Sequence, residues 1–228
     1  MGTLYVVGTP IGNLEDISQR ALQTLRQVGL IAAENPARTQ RLLARYDIHT
    51  PMMRYTDAYD RKKRARAQAI LTALEEGDVA LVSEAGMPGL ADPGYELLRA
   101  AVERGVPIVP VPGPTAVTAA LSMSGLPAGR YVFVGFLPRR RAARQDLLAS
   151  LAGVPYPVVA YESPHRLLET LQDVQMVMGE RLVSVSRELT KLYEGTQHGT
   201  AAEILAHFQA HAPRGEFTLV IAGQRRRA

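Results

Sequence analysis

Four short segments hold the residues best suited to chemistry: Gly8-Thr9-Pro10-Ile11-Gly12-Asn13, residues 83–94, Pro112-Gly113-Pro114-Thr115 and Glu162-Ser163-Pro164-His165-Arg166. Each joins glycine or proline to small or charged side chains. Glycine lets backbone approach a ligand closely, and proline fixes a loop without needing a donor. Each segment follows a strand-like run, where open α/β sheets bind their ligands. Basic residues cluster at Arg61, Lys62, Lys63, Arg64 and Arg66, at Arg139, Arg140, Arg141 and Arg144, and at the tail Arg225, Arg226 and Arg227. The net charge is only +4, so the clustering rather than the total suits a polyanion such as RNA.

Several chemistries are excluded. Gly8-Thr9-Pro10-Ile11-Gly12 is not the G-x-G-x-x-G dinucleotide fingerprint, and neither a P-loop nor a G-x-S-x-G elbow is present. The absence of cysteine removes thiolate zinc sites, iron–sulfur clusters, disulfides and a catalytic thiol. His207 and His211 stand four apart on an expected helix without the glutamate of H-E-x-x-H or a third ligand, so no metal site is expected.

The elements that position these loops alternate in type. Strands are expected at 4–7, 30–33, 79–82, 106–111, 131–134, 158–161, 182–187 and 217–222. Between them, Ile17, Ala21, Leu22, Leu25 and Val28 recur at helical spacing, as do Leu167, Leu168, Leu171 and Val174. Further helices are expected over 60–76, 115–123 and 201–210. Asp92-Pro93 reads as the N-cap and first residue of another. This order predicts an α/β fold with mostly parallel strands. Composition shifts near Gly125-Leu126-Pro127, giving two expected α/β domains, 1–118 and 119–228. With 46% hydrophobic residues in 228, the chain has enough apolar material for real cores. No apolar run approaches the ~20 residues of a membrane span, and the start lacks a leader pattern. A cytoplasmic location is expected. The residues alone thus lead to an α/β protein with a ligand cleft and charge suited to RNA.

Taken in order, the motifs say more. Leu4-Tyr5-Val6-Val7-Gly8-Thr9-Pro10-Ile11-Gly12-Asn13-Leu14-Glu15-Asp16, Asp92-Pro93-Gly94-Tyr95, Pro110-Val111-Pro112-Gly113-Pro114-Thr115-Ala116, Ser124-Gly125-Leu126-Pro127, Gly135-Phe136-Leu137-Pro138-Arg139, Tyr161-Glu162-Ser163-Pro164-His165-Arg166-Leu167-Leu168 and Arg187-Glu188-Leu189-Thr190-Lys191 form an ordered set. The set resembles the bacterial 16S rRNA (cytidine-2′-O)-methyltransferases of the tetrapyrrole methylase superfamily. The resemblance runs from residue 3 to about 223. It implies a parallel N-terminal sheet, a mixed C-terminal sheet, S-adenosylmethionine (SAM) in the interdomain cleft, and a homodimer acting on ribosomal RNA in the small subunit.

By that resemblance the cofactor residues are Pro10, Gly86, Met87, Leu90, Thr115 and Ala116, with Tyr161, Leu189 and Val220 on the adenosine side. A ribose hydroxyl is a poor nucleophile, so a base or electrostatic helper is expected beside it. Glu84, Glu162, Glu188 and Lys191 are the candidates, with Lys191 expected to have a lowered pKa or to stabilise an alkoxide. For Glu162 and Glu188, pairing with Arg166 and Arg187 is an equal alternative. Arg38, Arg139, Arg140 and Arg166 are the candidate phosphate contacts.

Two segments depart from the family pattern. Glu34-Asn35-Pro36-Ala37-Arg38-Thr39 stands where Glu-Asp-Thr-Arg-His-Thr is usual, and Ser83-Glu84-Ala85-Gly86-Met87-Pro88 where Ser-Asp-Ala-Gly-Thr-Pro is usual. Tyr55-Thr56-Asp57-Ala58-Tyr59 lacks the usual histidines. Methylation of a small molecule such as a tetrapyrrole, and a non-catalytic RNA-binding paralogue, remain alternatives.

Overall fold

The computed structural model describes residues 1–56 and 63–224. Asp57, Ala58, Tyr59, Arg61, Lys62 and the tail Arg225, Arg226 and Arg227 lie outside the described residues. The chain divides into two compact units, Met1–Thr115 and Ala116–Ala228.

In the first unit the strands are β1 (Leu4–Val7), β2 (Leu30–Ala33), β3 (Met52–Arg54), β4 (Val79–Val82) and β5 (Ile108–Val111). The helices are α1 (Gln19–Gln27), α2 (Pro36–Arg45), α3 (Lys63–Glu76) and α4 (Tyr95–Glu103). The strands pair in parallel, in the order β3-β2-β4-β1-β5. A parallel sheet needs crossover helices and is covered on both faces, so its strands are apolar throughout. All four residues of Val79-Ala80-Leu81-Val82 are buried. Ala80 and Val82 join the core that includes Leu25 and Leu43, while Val79 and Leu81 join Leu74 and Leu97.

The register decides where the ligand loops fall. Val7 pairs with both Val82 and Val111, so β1, β4 and β5 end flush and their following loops leave one edge. The chain runs from β1 toward β2 on one side, and from β4 toward β5 on the other. The gap between β1 and β4 is therefore a topological switch point, the usual ligand crevice of such sheets.

The second unit holds β6 (Val132–Phe136), β7 (Val158–Glu162), β8 (Leu182–Arg187), β9 (Gly195–Thr200) and β10 (Phe217–Ile221), in the order β6-β7-β10-β8-β9. Its helices are α5 (Ala116–Met123), α6 (Arg141–Leu151), α7 (Leu167–Met178) and α8 (Ala201–Ala210). Only β6–β7 is parallel, so the sheet is mixed. Strand residues alternate between faces. Val158, Ala160, Val183, Val185, Leu219 and Ile221 build one core with Leu148, Leu171 and Ile204 of the helices. Helix α5 packs on β10, β7 and β8.

Two expectations are corrected. Asp92 does not cap α4. That helix starts at Tyr95 with Gly94 at its N-cap and no side-chain cap, because the Asp92 carboxyl hydrogen-bonds Ser83 at the end of β4 instead. The run Arg139, Arg140, Arg141 and Arg144, expected to suit a polyanion as one cluster, is also divided. Arg141 and Arg144 lie on α6, and Arg144 is fully buried. Among the described residues no helix is long and apolar enough to cross a membrane.

Candidate active site

The loops after β1, β4 and β5 are tied together by backbone. Thr9 and Gly86 exchange amide-to-carbonyl bonds of 2.9 and 3.0 Å, forming an isolated antiparallel bridge. The Thr9 hydroxyl donates to the Ser83 carbonyl at 3.3 Å. Gly8 lies directly against Gly113. A Cβ built on Gly8 would sit 2.6 Å from the Gly113 nitrogen and 2.7 Å from the Met87 sulfur. Only glycine allows two backbones so close. Pro10 and Gly86 are buried, Met87 and Thr115 are half-buried, and Leu90 is exposed. All five expected cofactor residues of this unit thus lie on three loops leaving one sheet edge.

The two segments that depart from the family pattern meet at the same edge. The Glu84 carboxylate accepts from Arg38 and, at 3.3 Å, from Asn35, while the Glu84 amide donates to Glu34 at 2.9 Å. Asn35 also caps α2, accepting from the Arg38 amide, and Pro36 opens that helix. Arg38 is thereby engaged by Glu84 instead of standing free for phosphate.

Asp92 is a member of this group that the sequence reading missed as chemistry. Its pKa is pushed up to about 6 by burial first, then by the charge of Glu34; a Ser83 hydrogen bond opposes this, and Glu84 adds to it. A carboxyl that ionises less readily when folded weakens the fold as pH rises from 3.8 to about 6, and by a constant amount above that. Asp92→Asn is therefore expected to be more stable than the parent by about 1 kcal/mol at pH 8, where solvent screens the half-buried carboxylate, and less so near pH 4. Urea midpoints at the two pH values check this. A variant less stable than the parent at pH 8 would contradict it.

In the second unit the register brings the ends of β6, β7 and β8 and the start of β10 to one edge, with Phe136 paired to Tyr161, and Phe217 to Glu162 and Arg187. Glu162 is buried there, and both of its oxygens are taken. The Ser163 amide donates to one at 2.7 Å, and Arg166 and Thr170 donate to the other at 2.8 and 2.7 Å. Arg166 also donates to the Leu137 carbonyl at 2.7 Å. This pair ties the loop after β7 to the start of α7, so the structural alternative describes its geometry.

Glu188 has a positive φ of 49°, a strained position for a side chain other than glycine. Its carboxylate accepts from Lys191 at 3.0 Å and from the Glu216 amide at 2.8 Å. Lys191 also donates to Glu216 at 2.8 Å. Burial alone would lower the Lys191 pKa, but the bonds to Glu216 and Glu188 outweigh it and the pKa is raised. The expectation of a lowered value is reversed by the ion pairs with Glu216 and Glu188.

Leu189 is buried beside this turn, and Val220 is fully buried on β10. Tyr161 shares the face of Val220 by register and meets Phe133 and Phe136 edge-on, with centroids 5.1 and 5.5 Å apart. Ala116 opens α5. Arg139 and Arg140 are exposed just ahead of α6. His207 and His211 stack at 4.7 Å at the end of α8, and among the described residues no group of metal-binding side chains forms.

Known proteins resemble the chain in sequence and in fold. The sequence model of the tetrapyrrole (corrin/porphyrin) methylases matches residues 3–205. A protein named ribosomal RNA small subunit methyltransferase I from Synechocystis sp. is 48% identical over 225 residues, spanning 98% of this chain and 80% of that protein. Its namesake from Thermotoga maritima is 45% identical over 225 residues, spanning 98% and 100%. Among solved structures, uroporphyrin-III C-methyltransferase from Thermus thermophilus, complexed with S-adenosylhomocysteine, is 18% identical with a TM-score of 0.64, covering 98% of each chain. A cobalt precorrin-4 methyltransferase is 17% identical with a TM-score of 0.69, covering 96% of this chain and 94% of its own. The structural likeness carries the fold.

Proposed function

Because the chain belongs to the tetrapyrrole (corrin/porphyrin) methylases and, within them, to the ribosomal RNA small subunit methyltransferase I family, we propose that it methylates the 2′-hydroxyl of a cytidine ribose in small-subunit ribosomal RNA. The observation that supports this reading is near full-length identity of 45–48% to proteins named for that RNA. The tetrapyrrole enzymes, at 17–18%, share its fold. The reading includes a homodimer, which sedimentation would check.

As a SAM-dependent methyltransferase of this family, the chain must hold a sulfonium cation and an adenosine whose flat adenine faces suit apolar contact. The residues of the first unit fit that chemistry. Glu34, Glu84 and Asp92 supply carboxylates beside loops whose walls are Pro10, Ile11, Met87 and Leu90. Pro10, Gly86, Met87, Leu90 and Thr115 are the proposed cofactor contacts of the first unit, and Ala116, Tyr161, Leu189 and Val220 those of the second. When bound, SAM supplies an electrophilic methyl carbon on a sulfonium.

The chain's own residues have two tasks. One is alignment, which carries most of the rate in a displacement of this kind. The tie between Thr9 and Gly86 and the Gly8–Gly113 contact serve it by fixing three loops. The other is to take up the hydroxyl proton. Glu162 is spent on Arg166 and Thr170, and Glu188 on Lys191. Glu84 is likewise paired, with Arg38 and Asn35, so the half-buried Asp92, its pKa raised to about 6, is the proton acceptor that the first unit offers. Arg139 and Arg140 are the proposed phosphate contacts.

Labelled SAM offered with small ribosomal subunits lacking their ribose methyl groups tests the reading. Label is expected in the RNA. Label passing to a tetrapyrrole and not to RNA would overturn it, and SAM binding without transfer to either would favour a non-catalytic paralogue.

A further inference from the structure

The end of β6 has an irregular geometry that places an aromatic ring at the surface. Phe133 pairs with Val159, but Phe136 pairs with Tyr161, so three steps on β6 answer two on β7. The extra residue is absorbed at a bulge, where Gly135 has a φ of 64°. Bulges of this kind re-aim a side chain. Here Phe133 and Phe136 both come to rest against Tyr161. Phe136 nevertheless stays 57% exposed, although the next residue, Leu137, is buried.

The charge beside it is as selective. Arg141 and Arg144 are spent on Asp173, and Arg166 on Glu162 and the Leu137 carbonyl. Arg139 and Arg140, two and three residues beyond Leu137, are exposed and make no ion pair among the described residues. A ring held edge-on by a neighbour, three and four residues along the chain from two arginines without ion pairs among the described residues, matches what single-stranded nucleic acid needs. It offers a face for a base and charges for the flanking phosphates.

We infer that Phe136, supported by Tyr161 and flanked by Arg139 and Arg140, is a stacking platform for an unpaired base of the RNA substrate. This rests on the proposed RNA reading and adds the residue that grips the strand. It also explains the bulge: regular pairing would not bring both Phe133 and Phe136 against Tyr161.

The test compares the parent with Phe136→Ala, Phe136→Leu, Phe136→Tyr and Arg139→Gln/Arg140→Gln. Three quantities are measured: SAM affinity by calorimetry, affinity for a cytidine-rich single-stranded RNA at several salt concentrations, and KM for small ribosomal subunits. Phe136→Ala and Phe136→Leu are each expected to weaken RNA binding and raise KM about tenfold, with SAM affinity unchanged. Phe136→Tyr should keep parental values. The arginine double variant should flatten the salt slope by about 1 to 2, whereas Phe136→Ala should leave the slope intact. Parental RNA affinity and KM in Phe136→Ala would overturn the inference while leaving the RNA reading standing. Parental behaviour in Phe136→Leu alone would overturn stacking in favour of a plain apolar contact, as a protein partner would make. A parent that binds no RNA and methylates none would sink the RNA reading, and this inference with it.

Discussion

Gly113→Ala is expected to weaken SAM binding about tenfold or more while the chain remains folded. A Cβ on Gly113 would lie 2.8 to 2.9 Å from the carbonyl carbon, Cα and oxygen of Gly8. These are backbone atoms in the loop after β1, and they cannot rotate away as a side chain would. The loops after β1 and β5 must separate, at a steric cost of about 1–3 kcal/mol. Because Thr9 and Gly86 are bonded next to this contact, the displacement reaches the loop after β4 as well. Each 1.4 kcal/mol that binding must recover is about a tenfold loss of affinity. Gly129→Ala is the control, since nothing lies within 4 Å of its added Cβ. Calorimetric titration with SAM, with folding checked by circular dichroism, decides the matter. Parental affinity in Gly113→Ala would separate the glycine contact from the cofactor.

Arg144→Ala is expected to destabilise the chain by about 3 kcal/mol, without touching the proposed cofactor residues. Its guanidinium is fully buried and donates to Asp173 at 2.7 Å, while Asp173 itself has no solvent exposure. Removing one partner of a buried pair strands the other, and that costs about 3–5 kcal/mol. The lower end applies because Arg141, at 3.1 Å, and Gln145, at 2.7 Å, still donate to Asp173. Arg141→Ala should cost no more than about 1 kcal/mol, since its side chain is 60% exposed. Burial alone would raise the Asp173 pKa, but the bonds from Gln145, Arg144 and Arg141 outweigh it and the pKa is lowered. A lowered carboxyl pKa contributes stability that is present above the unfolded value and is lost as pH falls through the folded one. Acid unfolding of Arg144→Ala should therefore begin at a higher pH than in the parent. Urea unfolding at neutral pH gives the first number. Equal losses in the two arginine variants would contradict the assignment of the buried pair.

What the sequence made legible follows hydrophobic pattern. Leu30-Ile31-Ala32-Ala33 and Val79-Ala80-Leu81-Val82 are continuous apolar runs, and both are strands at the expected bounds. Leu167, Leu171 and Val174 of α7 are buried as their spacing implied. The misses have physical causes. Strand β9, Gly195-Thr196-Gln197-His198-Gly199-Thr200, contains no large apolar residue and exists because it pairs along β8. Helix α2 carried its signal in Asn35-Pro36, a cap and a first-turn proline, but those residues were read only as part of a motif. Helix α6 was hidden because arginines were read as surface charge, and a buried arginine is legible only once Asp173 is seen opposite it.

The site divides in the same way. The three loops of the first unit could be placed because each follows a strand that the pattern reveals. Side-chain commitments could not, since they depend on partners distant in the chain. Glu84 meets Arg38 46 positions away, and Lys191 meets Glu216 25 positions away. The two segments that depart from the family pattern are bound to each other through Arg38, Asn35 and Glu84.

The most direct test of the central claim is the position of the transferred methyl group. RNA from small subunits treated with labelled SAM and the protein would be hydrolysed in alkali, which cleaves only next to a free 2′-hydroxyl. The account predicts that the label survives in an alkali-stable dinucleotide and is released by further digestion as 2′-O-methylcytidine. Label recovered in ordinary mononucleotides, with the methyl on a base, would contradict it.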